Sequence, residues 1–189
     1  IARTFQNIRL FSQLSVLDNV KVGLHNNHSY STVESIFRLP RFHKVEKEMN
    51  EIAMELLEVF GLKEDANVQA QNLPYGQQRK LEIARALATK PKLLLLDEHT
   101  AALDPKTAAK VLALSDKMIE ENNLTAMMVT HNMRDAIVHG NRLIMMNEGK
   151  VILDIKGEEK KKLTVEDLLH KFEEISGEEF ANDKALLSK

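Results

Sequence analysis

The stretch LPYGQQRKLEIARALATKPKLLLLDEHTAALDP, residues 73–105, decides the fold of this chain. It places a glycine and a basic helical segment before an unbroken leucine run at 93–96, which ends in Asp97 and Glu98. An apolar run that does not alternate predicts a fully buried strand of a parallel sheet, covered by helices on both faces. Since such sheets bind ligands beyond the carboxyl ends of their strands, the stretch predicts an α/β fold with a site at the acidic pair.

Helices are predicted on both sides of this strand. One begins near Gly76 and ends before Pro91, because Pro cannot continue a helix. Asp104 and Pro105 are typical of an N-cap followed by Pro at the first helical position, and this helix runs to about Glu121. Strand and helix therefore alternate, as they do in α/β proteins.

The following residues continue the same alternation. Residues 124–130, LTAMMVT, are predicted as a second buried strand, and His131 follows it. Asn132 caps a short helix that Gly140 ends, and residues 142–155 predict two strands joined by a turn.

The segment from 16 to 60 has a helical pattern. Apolar side chains recur every three or four residues in 45–60, which predicts one amphipathic helix that Gly61 closes. The stretches NNHSYST (26–32) and RLPRFH (38–43) are expected to break this lobe into pieces. The second stretch is basic and aromatic, and we interpret it as a solvated loop; a position near lipid headgroups or a membrane partner is the alternative.

The composition excludes several classes of protein. Net charge is −2, so no broad basic field favours nucleic acid, and the chain has no cysteine for a disulfide framework or a thiolate metal site. The sequence contains no apolar run of the roughly 18 residues that a membrane-spanning helix needs.

Two predicted strands end in residues suited to phosphate chemistry. Asp97 offers an oxygen ligand for Mg²⁺, and Glu98 has the chemistry to orient and polarise an attacking water. His131 is a hydrogen-bond donor for a phosphate. Each feature alone is weak evidence, because strand ends often carry solvated acids and a single His is more often structural than catalytic.

Five short motifs, taken in their order along the chain, resemble those of the ATP-binding cassette (ABC) ATPases. RTFQN resembles the Q-loop, LPYGQ the signature, LLLLDE the Walker B strand, ALDP the D-loop and VTHN the switch loop. The resemblance implies a P-loop NTPase-like ABC ATPase core, an α/β fold with a parallel or mixed sheet flanked by helices, together with a helical subdomain.

The resemblance also implies roles for the motif residues, with ATP and Mg²⁺ as cofactors. Glu98, His131 and Gln6 are the expected catalytic residues, and Asp97 together with Gln6 holds Mg²⁺. The signature is expected to contact ATP held by a second subunit. The other expected site residues are the signature residues Leu73, Pro74, Tyr75, Gly76 and Gln77 and the D-loop residues Ala102, Leu103 and Asp104.

The physics of the signature helix agrees with a phosphate site. A helix that opens at Gly76 directs unpaired N–H groups outward, and its positive end favours phosphate. Arg79, Lys80 and Arg85 are interpreted as a solvated helix face or as partners of Glu82, with phosphate contact as the alternative.

The family resemblance implies both partners and a place in the cell. The partners are transmembrane permease subunits, a second ATPase subunit in a homodimer or heterodimer and, indirectly, a solute-binding protein, with no nucleic acid. The expected location is cytoplasmic, peripheral on the inner face of the cell membrane. The expected division is a core lobe with the Q-loop (1–11), a helical subdomain with the signature (12–90), a core lobe (91–157), and a C-terminal helix and tail (158–189).

The chain also departs from the family pattern. Residues 1–189 contain no G-x-x-x-x-G-K-[ST] phosphate loop, which the family places before the Q-loop. We therefore expect an N-terminally truncated ATPase, inactive by itself, with exposed apolar surface around 93–96 and 127–129. Pro74 and Tyr75 replace a serine and a glycine of the signature, and His99 replaces a proline that usually follows the catalytic Glu.

The two halves resemble different branches of the family. ARTFQNIRLF and YGQQR followed by LEIARALAT resemble ATPases of branched-chain amino acid importers, which makes an amino acid importer the leading expectation. From DEHTAALDP onward the chain resembles another importer branch, for aromatic amino acids or other small solutes.

Two alternatives belong to other classes of protein. A non-catalytic interaction module would contribute only its signature face to a partner, as the missing phosphate loop and Pro74 suggest. A DNA-repair or chromosome-structure ATPase is disfavoured, because no long heptad coiled coil lies between Gln6 and Leu73.

Overall fold

A computed structural model of the chain describes residues 1–5, 7–28, 30–98, 100 and 103–176. Gln6, His99 and Ala102, which the sequence singles out, lie outside the described residues. The chain forms two compact units, Ile1–Val129 and Thr130–Lys189, and each is described by itself.

The first unit contains a three-stranded parallel sheet. Its strands are β1 (Ala2–Arg3), β2 (Leu93–Asp97) and β3 (Thr125–Val129), in the order β1-β2-β3. Leu94 of β2 pairs with Ala2 on one side and with Ala126 on the other. The predicted α/β architecture with parallel strands is confirmed, and β2 is the central strand of the described sheet.

Burial of these strands differs from the prediction. Only alternate residues of β2 are fully buried, with Leu94 at 1% and Leu96 at 2% exposure, so the leucine run is not buried on both faces. The prediction of a buried β3 is wrong, because Met127 is 52% and Val129 is 48% exposed. β3 is an edge of the described sheet, with β2 on one side only, and the expected exposed apolar surface at 127–129 is present.

Five α-helices complete the described part of the first unit. They are α1 (Val16–Leu24), α2 (Thr32–Ile36), α3 (Pro40–Val59), α4 (Tyr75–Ala88) and α5 (Pro105–Glu121), with a 3-10 turn at Ala70–Asn72. The predicted starts and ends of α4 and α5 are confirmed to within a few residues. Asp104 caps α5 as predicted, since its carboxylate accepts a hydrogen bond from the Thr107 N–H at 3.0 Å.

Helix α3 corrects the interpretation of RLPRFH as a loop. Leu39 is the N-cap, and Pro40 occupies the first helical turn, where its fixed φ suits the helix and its missing N–H removes no helical bond. Most of the stretch is therefore helical and continuous with the amphipathic segment. Gly61 has φ +66° directly after the C-cap Phe60, as predicted for a helix that glycine closes.

The core of the first unit lies among α1, α3 and α4. The first two helices each contribute one buried face, whereas α4 is buried on most of its surface. The fully buried members include Val16 and Val20 of α1, Met49, Ala53 and Leu57 of α3, and Leu81, Ile83 and Ala84 of α4. Gly23 lets α1 approach α4 closely, because a Cβ there would lie 2.6 Å from the Arg85 carbonyl oxygen and 2.9 Å from the Ala88 Cβ.

The second unit contains a hairpin and three short helices. They are α6 (Met133–Val138), β4 (Arg142–Asn147), β5 (Lys150–Lys156), α7 (Glu158–Lys161) and α8 (Val165–Ser176). The predicted hairpin is confirmed as antiparallel. Its turn residues Glu148 and Gly149 have φ values of 46° and 76°, both positive, as a type I′ turn requires.

Substitution of Gly23 tests the α1–α4 contact. Gly to Ala within a helix ordinarily stabilises by about 1 kcal/mol, whereas here the added methyl group meets a backbone oxygen. We expect Gly23→Ala to lower the free energy of unfolding in urea by about 1–3 kcal/mol. Val22→Ala, at a neighbouring side chain that is 41% exposed, is the control and should have a smaller effect. An increase in stability of Gly23→Ala would contradict the packing described.

Candidate nucleotide site

The acidic pair lies at the carboxyl end of the central strand, as predicted. Asp97 is the last residue of β2, and its N–H donates to the Thr4 hydroxyl at 3.3 Å. Arg3 Nη2 donates to Asp97 Oδ2 at 2.6 Å. Arg3 of the neighbouring strand β1 thus holds the carboxylate of Asp97, and Thr4, directly after β1, holds its backbone.

Glu98 is held in a strained conformation. Its φ is 41°, in the left-handed region that side chains with a Cβ rarely adopt, at a cost of about 1–3 kcal/mol. The Glu98 N–H donates to the Val129 carbonyl oxygen at 2.9 Å, so the end of β3 anchors this conformation. Such strain is concentrated at functional sites, and it turns the chain sharply at the acidic pair.

Asp97 fits the requirements of Mg²⁺. One oxygen accepts from Arg3, and Oδ1 accepts no hydrogen bond from the residues that the structure describes. The described residues hold no group of three or more His, Cys, Asp or Glu suited to a metal ion. Since Mg²⁺ is usually bound by one or two carboxylates together with waters and phosphates, a single carboxylate at this strand end is compatible with it.

The signature residues form the start of α4. Pro74 is the N-cap and supplies no side-chain hydrogen bond to the helix. The first helical N–H groups therefore lack a side-chain cap, which is the arrangement that suits an incoming anion. Leu73 is buried at 5% exposure, whereas Tyr75 is 42% exposed.

Gly76 lets α5 approach the start of α4. A Cβ at Gly76 would lie 2.8 Å from Thr107 Cγ2. The absence of a side chain at Gly76 therefore makes room for the Thr107 side chain of α5. The D-loop residues Leu103 and Asp104 lie next to this contact. Hydrogen bonds from Thr107 lower the pKa of the Asp104 carboxyl, consistent with its capping role.

A cavity of about 350 Å³ joins the signature to the D-loop. Two lysines, Lys80 and Lys110, line it and make it positive. The structure therefore brings four of the predicted signature residues, Pro74 to Gln77, next to the described D-loop residues Leu103 and Asp104. The remaining lining residues are Pro74, Tyr75, Gly76, Gln77, Leu103, Asp104 and Thr107.

A buried ion pair on α4 contacts Phe5 and Arg9, which lie near the start of the chain. Arg79 and Glu82 are 0% and 1% exposed, and Arg79 Nη1 donates to Glu82 Oε2 at 2.8 Å. Arg79 Nη1 also donates to the Phe5 carbonyl oxygen, and the Arg9 N–H donates to Glu82 Oε1 at 3.3 Å. Arg85 donates to the Arg9 carbonyl oxygen.

This pair corrects the interpretation of Arg79 as part of a solvated face. The predicted pairing with Glu82 is confirmed, but it is fully buried and reaches the chain more than 70 residues earlier. The Arg–Glu spacing of three residues on a helix was the only local signal. Phe5 and Arg9, which the sequence did not single out, complete the contact.

His131 belongs to the second unit and is exposed. It directly precedes Asn132, the N-cap of α6, whose Oδ1 accepts hydrogen bonds from the N–H groups of Arg134 and Asp135. The predicted cap of this helix is confirmed. The helix start fixes the backbone that follows His131.

Comparison with known proteins decides the family. Residues 1–101, just over half of the chain, match the ABC transporter family. The chain belongs to the ABC transporter family. The predicted membership is confirmed, and the motif resemblance on which it rested includes the Walker B and signature residues within the matched segment.

Curated relatives are ATP-binding proteins of amino acid transport. The chain is 50% identical over 112 residues to a tyrosine transport ATP-binding protein of Clostridioides difficile, covering 59% of this chain and 45% of the relative. It is 37% identical over 154 residues to a high-affinity branched-chain amino acid transport ATP-binding protein of Pseudomonas aeruginosa, covering 82% and 60%. The chain thus spans between about half and three fifths of the length of these relatives.

Solved structures agree on the fold. A dimeric ATP-binding cassette in a post-hydrolysis state, bound to ADP and phosphate, has a TM-score of 0.64 at 32% identity, over 82% of this chain and 62% of that one. An ADP-bound cassette of another ABC transporter has a TM-score of 0.67 at 28% identity, over 90% and 67%. The predicted P-loop NTPase-like ABC fold is confirmed.

The buried Arg79–Glu82 pair is open to a double-mutant test. Arg79→Leu leaves Glu82 charged and buried, so it should lower the free energy of unfolding by about 3–5 kcal/mol. The double variant Arg79→Leu/Glu82→Leu should lose less than the single variant, since no uncompensated charge remains.

The exposed pair Lys117 and Glu121 is the matched control. Its side chains are 60% and 55% exposed, and Lys117 Nζ lies 3.7 Å from Glu121 Oε1. Lys117→Ala should therefore change the free energy of unfolding by less than about 1 kcal/mol. Equal effects of Arg79→Leu and Lys117→Ala in urea denaturation would contradict the structural role of the buried pair.

Proposed function

We propose that this chain is part of the ATP-hydrolysing subunit of an ABC importer for amino acids. The observation that carries the proposal is the arrangement within one unit of Asp97 and Glu98 at the end of the central strand and an uncapped helix start at the signature. The acidic pair suits Mg²⁺ and an attacking water, and the start of α4 suits a phosphate. Family membership supports assigning them to ATP.

Each predicted site residue has a separate role in ATP hydrolysis. Asp97, with Gln6, holds Mg²⁺, which when bound neutralises charge on the phosphates. Glu98 is the general base that accepts a proton from the attacking water, and the bond of its N–H to the Val129 carbonyl oxygen holds its backbone at the end of β2. His131 donates a hydrogen bond to the terminal phosphate and responds to its loss.

The signature acts on a nucleotide held by a second ATPase subunit. Leu73 to Gln77 present the start of α4, and Lys80 and Lys110 add positive charge beside it. Pro74 has no hydroxyl to donate, so the backbone N–H groups and the lysines carry the contact. The dimeric state of a solved cassette with this fold supports this arrangement.

The relatives support amino acids as the transported class. The relatives are ATP-binding proteins of tyrosine, branched-chain amino acid and glutamine transport. In the described part of the chain no helix is both long and apolar enough to cross a membrane. Family membership supports permease subunits as partners, with this subunit on the inner face of the membrane and a solute-binding protein acting through the permease.

A second candidate is a non-catalytic interaction module that contributes only its signature face. It is favoured by the absence of a G-x-x-x-x-G-K-[ST] loop in residues 1–189 and by Pro74. Both proposals predict that the chain by itself does not hydrolyse ATP. Only a chain supplied with a phosphate loop distinguishes the two.

Fusing residues 1–189 to an ABC-family segment that carries the phosphate loop provides that test. We expect Mg²⁺-dependent ATP hydrolysis, and Glu98→Gln should reduce kcat by about 100-fold or more with ATP binding retained, because it removes the general base. Glu98→Gln should also trap an ATP-bound dimer in size-exclusion chromatography.

Glu121→Gln, at an exposed carboxylate on α5, is the matched control and should retain turnover. A fusion that binds ATP without hydrolysing it would overturn the catalytic proposal and favour the interaction module.

A further inference from the structure

Helix α2 exposes a row of apolar side chains. Val33, Ile36 and Phe37 are three and four residues apart, so they share one face, and they are 56%, 76% and 71% exposed. Leu39, two residues on, is 42% exposed. None of the five residues of α2 is buried, so these side chains serve no part of the described core.

The conformation of α2 is fixed in spite of its short length. A helix of five residues is too short to be stable alone in water. A capping box holds it: the Glu34 N–H donates to Ser31 Oγ at 3.2 Å, and the Ser31 N–H donates to Glu34 Oε2 at 2.7 Å. The apolar row is therefore a defined surface.

The segment that carries this row is basic. Residues 32–47 contain four cations, Arg38, Arg41, Lys44 and Lys47, and two carboxylates, a net charge of +2 in a chain whose total is −2. Lys47 is paired with Glu51 at 3.9 Å. Arg38, Arg41 and Lys44 are exposed. Residues 32–47 are thus basic, whereas the rest of the chain carries a net negative charge.

Both carboxylates form ion pairs, Glu34 with Arg41 of the same segment and Glu46 with Lys21 of α1. Glu34 caps α2 and accepts from Arg41 at 3.5 Å, and its hydrogen bond with the Ser31 backbone lowers its pKa. Glu46 accepts from Lys21 at 2.6 Å and from the Tyr30 hydroxyl at 2.7 Å. These bonds tie α3 to α1.

We propose that this surface, the α2 patch (Val33, Ile36, Phe37, Leu39, Arg38, Arg41 and Lys44), binds the headgroup region of an anionic lipid bilayer. The combination of Phe, Leu and Ile with Arg and Lys is that of interfacial segments, whose apolar side chains enter the headgroup boundary while the cations meet anionic lipid. Long basic side chains also place their charges at the surface while their stems cover apolar area.

A protein partner is less favoured by the size and composition of the patch. Stable protein interfaces involve about 20–30 residues a side, with charged residues depleted from their centre. The α2 patch has four apolar side chains with Arg38 between Phe37 and Leu39. Lipid binding needs no nucleotide, so this inference can fail independently of the proposed ATPase activity.

A tryptophan at position 37 gives a direct test, because the chain contains no Trp. The emission of Phe37→Trp should shift to the blue with vesicles of equal parts phosphatidylglycerol and phosphatidylcholine, but not with phosphatidylcholine alone. The shift should diminish at high salt, which screens exposed charges. Val138→Trp, at a side chain that is 73% exposed in the second unit, should show no shift.

Co-sedimentation with the same vesicles tests the individual side chains. Ile36→Ser/Phe37→Ser and Arg38→Glu/Lys44→Glu should each lower the bound fraction about tenfold or more, while Val138→Ser/Lys162→Glu binds like the unmodified chain. Circular dichroism should show an unchanged fold, since the substituted side chains are exposed. Unchanged binding of either α2 variant would overturn the proposal, as would an absence of binding to anionic vesicles, which would leave a protein partner as the occupant.

Discussion

The buried ion pair of Arg79 and Glu82 is the interaction on which the arrangement of the candidate site depends. A charged pair buried from solvent is stabilised by further hydrogen bonds to its charged groups. Here Phe5 and Arg9 provide two of them, on either side of residue 6 in the sequence. The pair therefore constrains a distant loop as well as its own helix.

Residues 3–9 consequently connect two halves of the site. Arg3 binds Asp97 at the end of β2, and Phe5 and Arg9 bind α4, whose first residues are the signature. The guanidinium carbons of Arg3 and Arg9 both lie near the Phe5 ring, at 5.1 and 4.7 Å from its centroid. Contacts of Arg3, Phe5 and Arg9 therefore reach both Asp97 and α4 within the first unit.

Much of the fold could be predicted from the sequence because its signals are local. The leucine run, the Asp–Pro cap of α5 and the glycine after α3 each determine backbone conformation within a few residues. The burial of Arg79 could not be predicted in this way, since it depends on a segment that precedes it by more than 70 residues. The exposure of β3 depends likewise on which elements cover it, and an apolar sequence alone predicts a covered strand.

In the candidate site too, some features follow from the local sequence and others depend on distant contacts. Asp97 and Glu98 could be placed at a strand end because strand direction follows from chain order in a parallel sheet. The Arg3 contact and the positive φ of Glu98 required the pairing of β1 with β2 and of β2 with β3. The basic and aromatic composition of RLPRFH favours a solvated loop, whereas its proline lies in the first turn of α3, where proline is well tolerated.

Amide hydrogen exchange at Arg9 tests the central claim most directly. Its N–H donates to Glu82, so its protection in the native chain should approach that of the Ile83 amide within α4. In Arg79→Leu/Glu82→Leu, Arg9 exchange should accelerate about tenfold or more while Ile83 remains protected. Equal Arg9 exchange in the two proteins would show that the buried pair does not hold the loop, and the account of a linked site would be wrong.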